Sequence, residues 1–240
     1  MSSLTESALA AWHLLISGDA LLVSIILRSL ALSASACVLA FLIGAVLGSW
    51  LAVARFPGRG GALVLVNTLL SFPSVVAGLL VYLLLSRSGP LGFLGWLYSF
   101  KAMLFAQTLL VLPIVIALVQ QVVADADAAH GEQLRSLGAG PKLTGLLLAW
   151  NERGALMTVL LAAFGRAISE VGAVMIVGGN IDGFTRVMTT TIALETSKGD
   201  LPLAMGLGLV LLLVVLLLQA LIALLRTPWS AWWTATRRVA

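Results

Sequence analysis

Charge is what this sequence has least of. Asp, Glu, Lys and Arg make up 10% of its 240 residues, where a soluble domain carries about 25%. Since 60% of the chain is hydrophobic, too few polar side chains remain to keep a folded surface in water. Cysteine occurs once, at Cys37, which excludes a disulfide within the chain and a thiolate metal cluster. His13 and His130 stand alone, without zinc-ligand spacing, so no metal site is expected. No G-x-x-x-x-G-K-[ST] run exists, and GAGPKLT at 138–144 lacks the spacing that cradles phosphates. H-E-x-x-H and G-x-S-x-G runs are also missing, which leaves an intramembrane enzyme without a metal or nucleophile site. No catalytic residue is expected.

What the chain has instead is long runs without any charge. Residues 29–54, 60–86, 102–124 and 201–225 contain no Asp, Glu, Lys or Arg. Each exceeds the roughly 20 residues a helix needs to cross about 30 Å of hydrocarbon. Residues 154–181 form a fifth run, interrupted only by Arg166 and Glu170. The alternating ten-residue segments of a β-barrel are not seen. The expected fold is therefore an all-α polytopic membrane protein with spans near 21–54, 62–86, 102–124, 154–178 and 201–226. The opening MSSLTESALAAWHLLISGDA carries Glu6 and no basic stretch, so it does not read as a cleaved signal peptide. Residues 1–19 are expected to lie along the interface or to pack on the bundle.

The basic residues set an orientation. With five spans, one side collects Arg55, Arg59, Arg135, Lys142, Arg153, Arg226, Arg237 and Arg238. The other collects Arg28, Arg87, Lys101, Arg186 and Lys198. The richer side is expected to be cytoplasmic, with the N-terminus outside and the C-terminal tail 227–240 inside. Two crossings within 20–54 would move only the N-terminus. Trp229, Trp232 and Trp233, followed by Arg237 and Arg238, suit a headgroup layer with water beyond. Charge on cytoplasmic loops also explains a pI near 9.8 without nucleic acid.

Smaller signals punctuate the spans. Ala36, Ala40, Gly44, Gly48 and Ala52 recur every fourth residue, a small-residue face that lets another backbone approach. Pro73 interrupts the second run and Pro113 the third; each is either a packing kink or a bend lining a pathway. In the polar segment 125–153, Asp125 or Asp127 is expected to cap a helix running towards Leu137. Gly138 and Gly140 break that helix and Pro141 opens another. Beyond the fourth span, residues 185–197 are apolar enough for a helix yet too short to cross. Thr185 is the expected N-cap and Gly199 the expected stop.

Two stretches carry a resemblance. Glu132–Gln133–Leu134, three residues and then Gly138 resemble the glutamate–alanine–alanine–xxx–glycine loop (EAA loop) of ABC-importer permeases. Gln133 and Leu134 stand in place of the alanines, and the usual isoleucine–leucine–proline ending is absent at Leu148–Asn151. FGRAISEVGAVMIVGGNIDGFTRVMTTTIALETSKGDLPLAM (164–205) and FPSVVAGLLVYLLLSRSGPLGFLG (72–95) closely resemble tungstate-type permeases, relatives of the molybdate and sulfate permeases. The similarity extends over about 20–225.

The resemblance implies a type I importer fold over 20–226 and a homodimer around a central pathway in the inner membrane. It also implies two cytoplasmic ATPase subunits, which would use ATP and Mg, and an external oxyanion-binding protein. This chain itself is expected to bind no cofactor. Residues 125–148 would couple to the ATPase through Glu132, Gln133, Leu134, Arg135 and Gly138, the glycine giving the bend. A self-contained channel or secondary transporter is the rival class. It would work without an ATPase and usually shows an internal repeat.

Arg166 and Glu170 need a separate reading, because a charge at bilayer depth costs upwards of roughly 2.5 kcal/mol. Four residues apart, they share a helix face and can neutralise each other. They form either an internal lock or a contact for the transported anion, which Arg166 would attract and Glu170 repel. The reading preferred here is that the pair fixes the geometry of a gate. For the pathway, Asn180, Thr185, Thr189 and Thr190 can donate hydrogen bonds without trapping an ion, and Gly178 and Gly179 would let the backbone turn. Ordinary capping and loop solvation is the equal alternative.

Overall fold

The computed structural model describes residues 20–236, with side chains through residue 224. Residues 1–19, Arg237 and Arg238 lie outside the described residues, as do the side chains of Trp229, Trp232 and Trp233. All regular structure among the described residues is helical. In chain order the helices are α1 Ala20–Val53, α2 Arg59–Leu70, α3 Ser74–Leu85, α4 Phe100–Ser136, α5 Pro141–Asn151, α6 Arg153–Ile168, α7 Gly172–Gly178, α8 Met188–Lys198 and α9 Leu201–Thr236. A 3-10 turn at Gly92–Leu94 precedes α4. Three helices, α1, α4 and α9, are long and apolar enough to cross a bilayer alone. The bent pairs α2–α3 and α5–α6 raise the number to five if each is one span. The chain is an all-α polytopic membrane protein.

α1 is one unbroken helix of 34 residues, about 51 Å long at 1.5 Å per residue. Two crossings within 20–54 therefore have no break on which to turn. Pro73 does interrupt its segment. α2 stops at Leu70, and Pro73 sits just before α3 with φ −63° and ψ 126°. Pro113 interrupts nothing: α4 runs through it for 37 residues, held by the buried neighbours Val111 and Val115.

α4 also corrects the expectation that Asp125 or Asp127 caps a new helix. The helix continues unbroken through both to Ser136. VVADADAAHGEQLRS is polar but has no proline and a single glycine, and Ala, Glu, Gln and Arg favour helix. Polarity changes at residue 125; backbone geometry does not. The fourth apolar run shows the opposite. It is not one helix but two, α6 and α7, separated at residues 169–171.

The chain divides into two compact units. Within the described residues, the first comprises 20–36, 73–110 and 166–216. Its core gathers Leu32, Val81, Leu85, Met103, Val174 and Val177. α3 and α7 touch where side chains are smallest: a Cβ on Gly78 would stand 2.7 Å from Ala173 Cα, and one on Gly172 2.9 Å from a Val75 methyl. The second unit comprises 37–72, 111–165 and the chain from 217 onward. Here the small-residue face of α1 meets α4. A Cβ on Gly48 would lie 2.7 Å from the Ile116 carbonyl oxygen, and one on Gly44 2.7 Å from a Val115 methyl. Dispersion across such close backbones is a main source of helix association in membranes.

Candidate functional site

The break between α6 and α7 is where the first unit keeps its polar chemistry. No proline causes it. α6 ends in a turn in which the Glu170 N–H donates to the Ala167 carbonyl at 3.1 Å and the Ser169 hydroxyl to the Arg166 carbonyl at 3.0 Å. Arg166 Nη1 donates to Glu170 Oε2 at 2.8 Å, so the two charges found in the sequence do pair. The other oxygen, Oε1, accepts the N–H of Ala173 at 3.3 Å, in the first turn of α7. Glu170 thus neutralises a cation and satisfies an N–H that α7 leaves open, with negative charge at the favourable end of a helix. Its side chain is 4% exposed and that of Arg166 47%. The carboxylate is the desolvated partner, and the guanidinium keeps an open face.

Neighbouring side chains take up the carbonyls around the break. The Thr189 hydroxyl donates to the Glu170 carbonyl at 2.7 Å. Gln107, buried in α4, donates through Nε2 to the Ala167 carbonyl and to Ser33 Oγ. Unpaired, such groups would each cost several kcal/mol in a lipid-like interior. The cavity beside them, lined by Ser29, Ser33, Gln107, Glu170 and Thr189 among others, measures about 10 Å³. That is room for about one water molecule, far too little for a tetrahedral oxyanion.

Of the proposed pathway residues, Asn180 is bonded to Thr190 and Thr185 to Gly178, while Thr189 bonds the Glu170 carbonyl. Gly179 at φ 69° and Asn180 at φ 50° make the turn after α7. A Cβ on Gly179 would meet the Tyr98 ring at 2.8 Å, and one on Gly178 the Met103 sulfur at 2.6 Å. The Thr190 hydroxyl donates to Asn180 Oδ1 at 2.8 Å, and Asn180 Nδ2 to the Thr190 carbonyl at 3.3 Å. Thr185 does not cap α8, which corrects that expectation. Val187 holds the N-cap position and its N–H donates to Thr190 Oγ1 at 3.2 Å. Thr185 lies too far back and instead closes the loop, donating to the Gly178 carbonyl and accepting from Ile181 N–H. Gly199 ends α8 as expected, at φ 85°.

Sequence reasoning missed Arg28, Ser29 and Gln107. Arg28 donates to the carbonyls of Gly183 and Arg186 at 2.8 and 3.0 Å, and Ser29 Oγ accepts the Met188 N–H at 2.7 Å. Gln107 left a readable signal: it is an amide inside a charge-free run, where polar groups are costly.

The residues expected to couple to an ATPase lie in the second unit. Glu132, Gln133, Leu134 and Arg135 form the last turns of α4, and Gly138 follows at φ 84°. Ala139 N–H donates to the Leu134 carbonyl and Gly138 N–H to that of Arg135, both at 3.0 Å. This is a Schellman stop, which requires the left-handed conformation glycine adopts freely. Pro141 then opens α5 at its first turn, where a missing N–H costs nothing. Arg135 is bound by Asp127 at 2.8 Å. Leu137, Leu146 and Trp150 are exposed.

No family model matches the chain. It is 40% identical over 222 residues to the tungstate uptake system permease protein TupB of Peptoclostridium acidaminophilum, covering 92% of this chain and 97% of that protein. The protein of the same name in Campylobacter jejuni is 43% identical over 155 residues, 65% of each chain. A probable anion ABC transporter permease of Haloferax volcanii is 39% identical over 205 residues, 83% of this chain and 88% of its own. Sulfate transport permeases match at lower identity. Similarity at this level over 92% of this chain and 97% of the Peptoclostridium protein makes the chain a member of the anion-transporting ABC permease family that includes the tungstate uptake permeases.

Proposed function

We propose that this chain is the membrane-spanning subunit of an ATP-driven tungstate importer. It would receive the anion from an external binding protein and be driven by a separate ATPase that uses ATP and Mg. The observation that carries the reading is the near full-length match to a tungstate uptake permease, 97% of that protein. Two copies of the chain would enclose the pathway, with the side bearing Arg55, Arg59, Arg135 and Lys142 facing the cytoplasm. The last turns of α4 together with α5 supply a rigid projection for the ATPase, with Gly138 fixing its bend and Glu132 and Arg135 at its rim. The Arg166–Glu170 pair holds the α6–α7 break in shape, and Arg166's open face tunes the field along the route. Asn180, Thr185, Thr189 and Thr190 shape the same wall. Their hydrogen-bonding groups are spent on the protein, so they act by placing backbone rather than by gripping the ion. Selection between tungstate, molybdate and sulfate then falls to the binding protein.

The test is ATP hydrolysis in proteoliposomes containing this chain, its cognate ATPase and the binding protein, loaded in turn with tungstate, molybdate, sulfate or nothing. Selective stimulation by the tungstate-loaded protein, well above that with molybdate or sulfate, is the expected result. Stimulation by sulfate alone would move the chain to the sulfate branch. Anion flux without ATPase would overturn the coupled reading in favour of a channel or secondary transporter.

A further inference from the structure

The C-terminal end of α1 and the start of α5 frame an open, basic feature. A groove of about 560 Å³ lies in the second unit, lined by Trp50, Ala54, Arg55, Phe56 and the start of α5 from Gly140 to Leu143. Trp50 and Phe56 stack at 5.0 Å with ring planes 15° apart, giving the groove an aromatic wall. Arg55 and Lys142 stand at it, both exposed. We propose that this groove binds an anionic phospholipid, with the headgroup phosphate between Arg55 and Lys142 and an acyl chain along α1.

Three observations converge on that occupant. The first is unspent charge. The other arginines whose side chains are described in the second unit are engaged: Arg59 donates to the carbonyls of Leu51 and Ala52 at 2.9 and 3.1 Å, Arg135 to Asp127, and Arg153 to the Trp150 carbonyl at 3.2 Å. Among the described residues, no carboxylate lies within ion-pair distance of Arg55 or Lys142. Arg55 also lines a neighbouring hollow with Asp127, but that carboxylate already belongs to Arg135. Two uncompensated cations make an anion the complementary ligand.

The second observation is the apolar track leading to them. Val38, Leu42, Val46 and Trp50 fall four residues apart on α1 and are all exposed, Leu42 and Val46 by 63% and 69%. A stripe of that spacing follows one helix face and ends at the groove, which suits an acyl chain attached to a phosphate and does not suit a free phosphate or an acidic peptide. The third is Trp50, stacked on Phe56 where the apolar stripe gives way to charge, the level at which amphipathic tryptophan rings settle in a bilayer. Basic pockets at helix ends recognise lipid headgroups by the same combination of charge and apolar depth.

The test uses the full-length chain in nanodiscs of phosphatidylcholine, with or without phosphatidylglycerol, and counts retained lipid by native mass spectrometry. The wild-type chain should retain phosphatidylglycerol in preference to phosphatidylcholine. Each cation contributes about 5-fold to that preference, so Arg55→Gln with Lys142→Gln should weaken it about 25-fold, while Arg55→Lys with Lys142→Arg should keep it. A readout on the unaltered chain guards against misfolding of the variants. Acetylation of Lys142 should slow in phosphatidylglycerol discs, while that of Lys198 should not. Equal retention of the two lipids by the wild type would overturn the proposal, and so would undiminished phosphatidylglycerol binding by the glutamine variant. If that variant kept its lipid but no longer co-purified with the ATPase, the groove would be a protein dock and the lipid assignment would fall.

Discussion

The two units of this chain spend their polar groups differently. In the first, nearly every polar side chain near the α6–α7 break is bonded to the protein itself: Glu170 to Arg166 and α7, Thr189 and Gln107 to the carbonyls at the break, Asn180 to Thr190. In the second, two cations, a stacked aromatic pair and the leucines and tryptophan at and beyond the end of α4 face outward. The contrast separates a region organised to hold its own irregular backbone from one organised to be touched. Irregular backbone at membrane depth persists only where side chains satisfy it, so the density of internal bonds in the first unit follows from the break it contains.

The strongest way to break that contrast is to unpair the buried carboxylate. Arg166→Ala would leave Glu170 buried with only an N–H partner, costing about 3 kcal/mol. Glu170→Gln keeps an acceptor for Ala173 and strands only a half-exposed arginine, so about 1 kcal/mol is expected. Thermal unfolding in detergent should rank the two in that order. Equal losses would mean that the carboxylate is not the desolvated partner.

Next comes packing in the second unit. Gly48→Ala places a methyl group 2.7 Å from the Ile116 carbonyl oxygen, an overpacking of about 1–3 kcal/mol, read as a lower melting temperature. Gly60→Ala meets nothing within 4 Å and serves as the matched control. Thr190→Val is expected to cost about 1 kcal/mol by removing the Asn180 bond and to lower transport through a misplaced turn. Gly138→Ala strains a left-handed residue by about 1 kcal/mol, lowering the melting temperature by only about 2–4 °C, yet should cut stimulated ATP hydrolysis severely.

Much of this was legible in the sequence, and the exceptions share one cause. The small-residue face of α1, the Gly138–Pro141 stop and restart, and the Gly199 terminus all follow from residues whose local preferences decide the outcome. The continuity of α4 through Asp125 and Asp127 was not visible, because a change in polarity marks where water begins and not where a helix ends. The break at residues 169–171 was hidden for the converse reason. Nothing in AISEV forbids a helix, and the turn is held by Gln107 and Thr189, which are distant in sequence. Thr185 was misread as a cap because a threonine before an apolar stretch has the same appearance whether it opens a helix or closes the loop before it.

The most direct measurement compares the ratio of tungstate- to molybdate-stimulated ATP hydrolysis in wild-type proteoliposomes with that of the neutralised pair, Arg166→Met with Glu170→Gln. If the pair sets the shape of the break and does not recognise the anion, the rate should fall while the ratio stays within about 2-fold of wild type. A ratio shifted about 10-fold or more, close to 1.4 kcal/mol of discrimination, would place these charges in contact with the transported ion and contradict the division of labour drawn here.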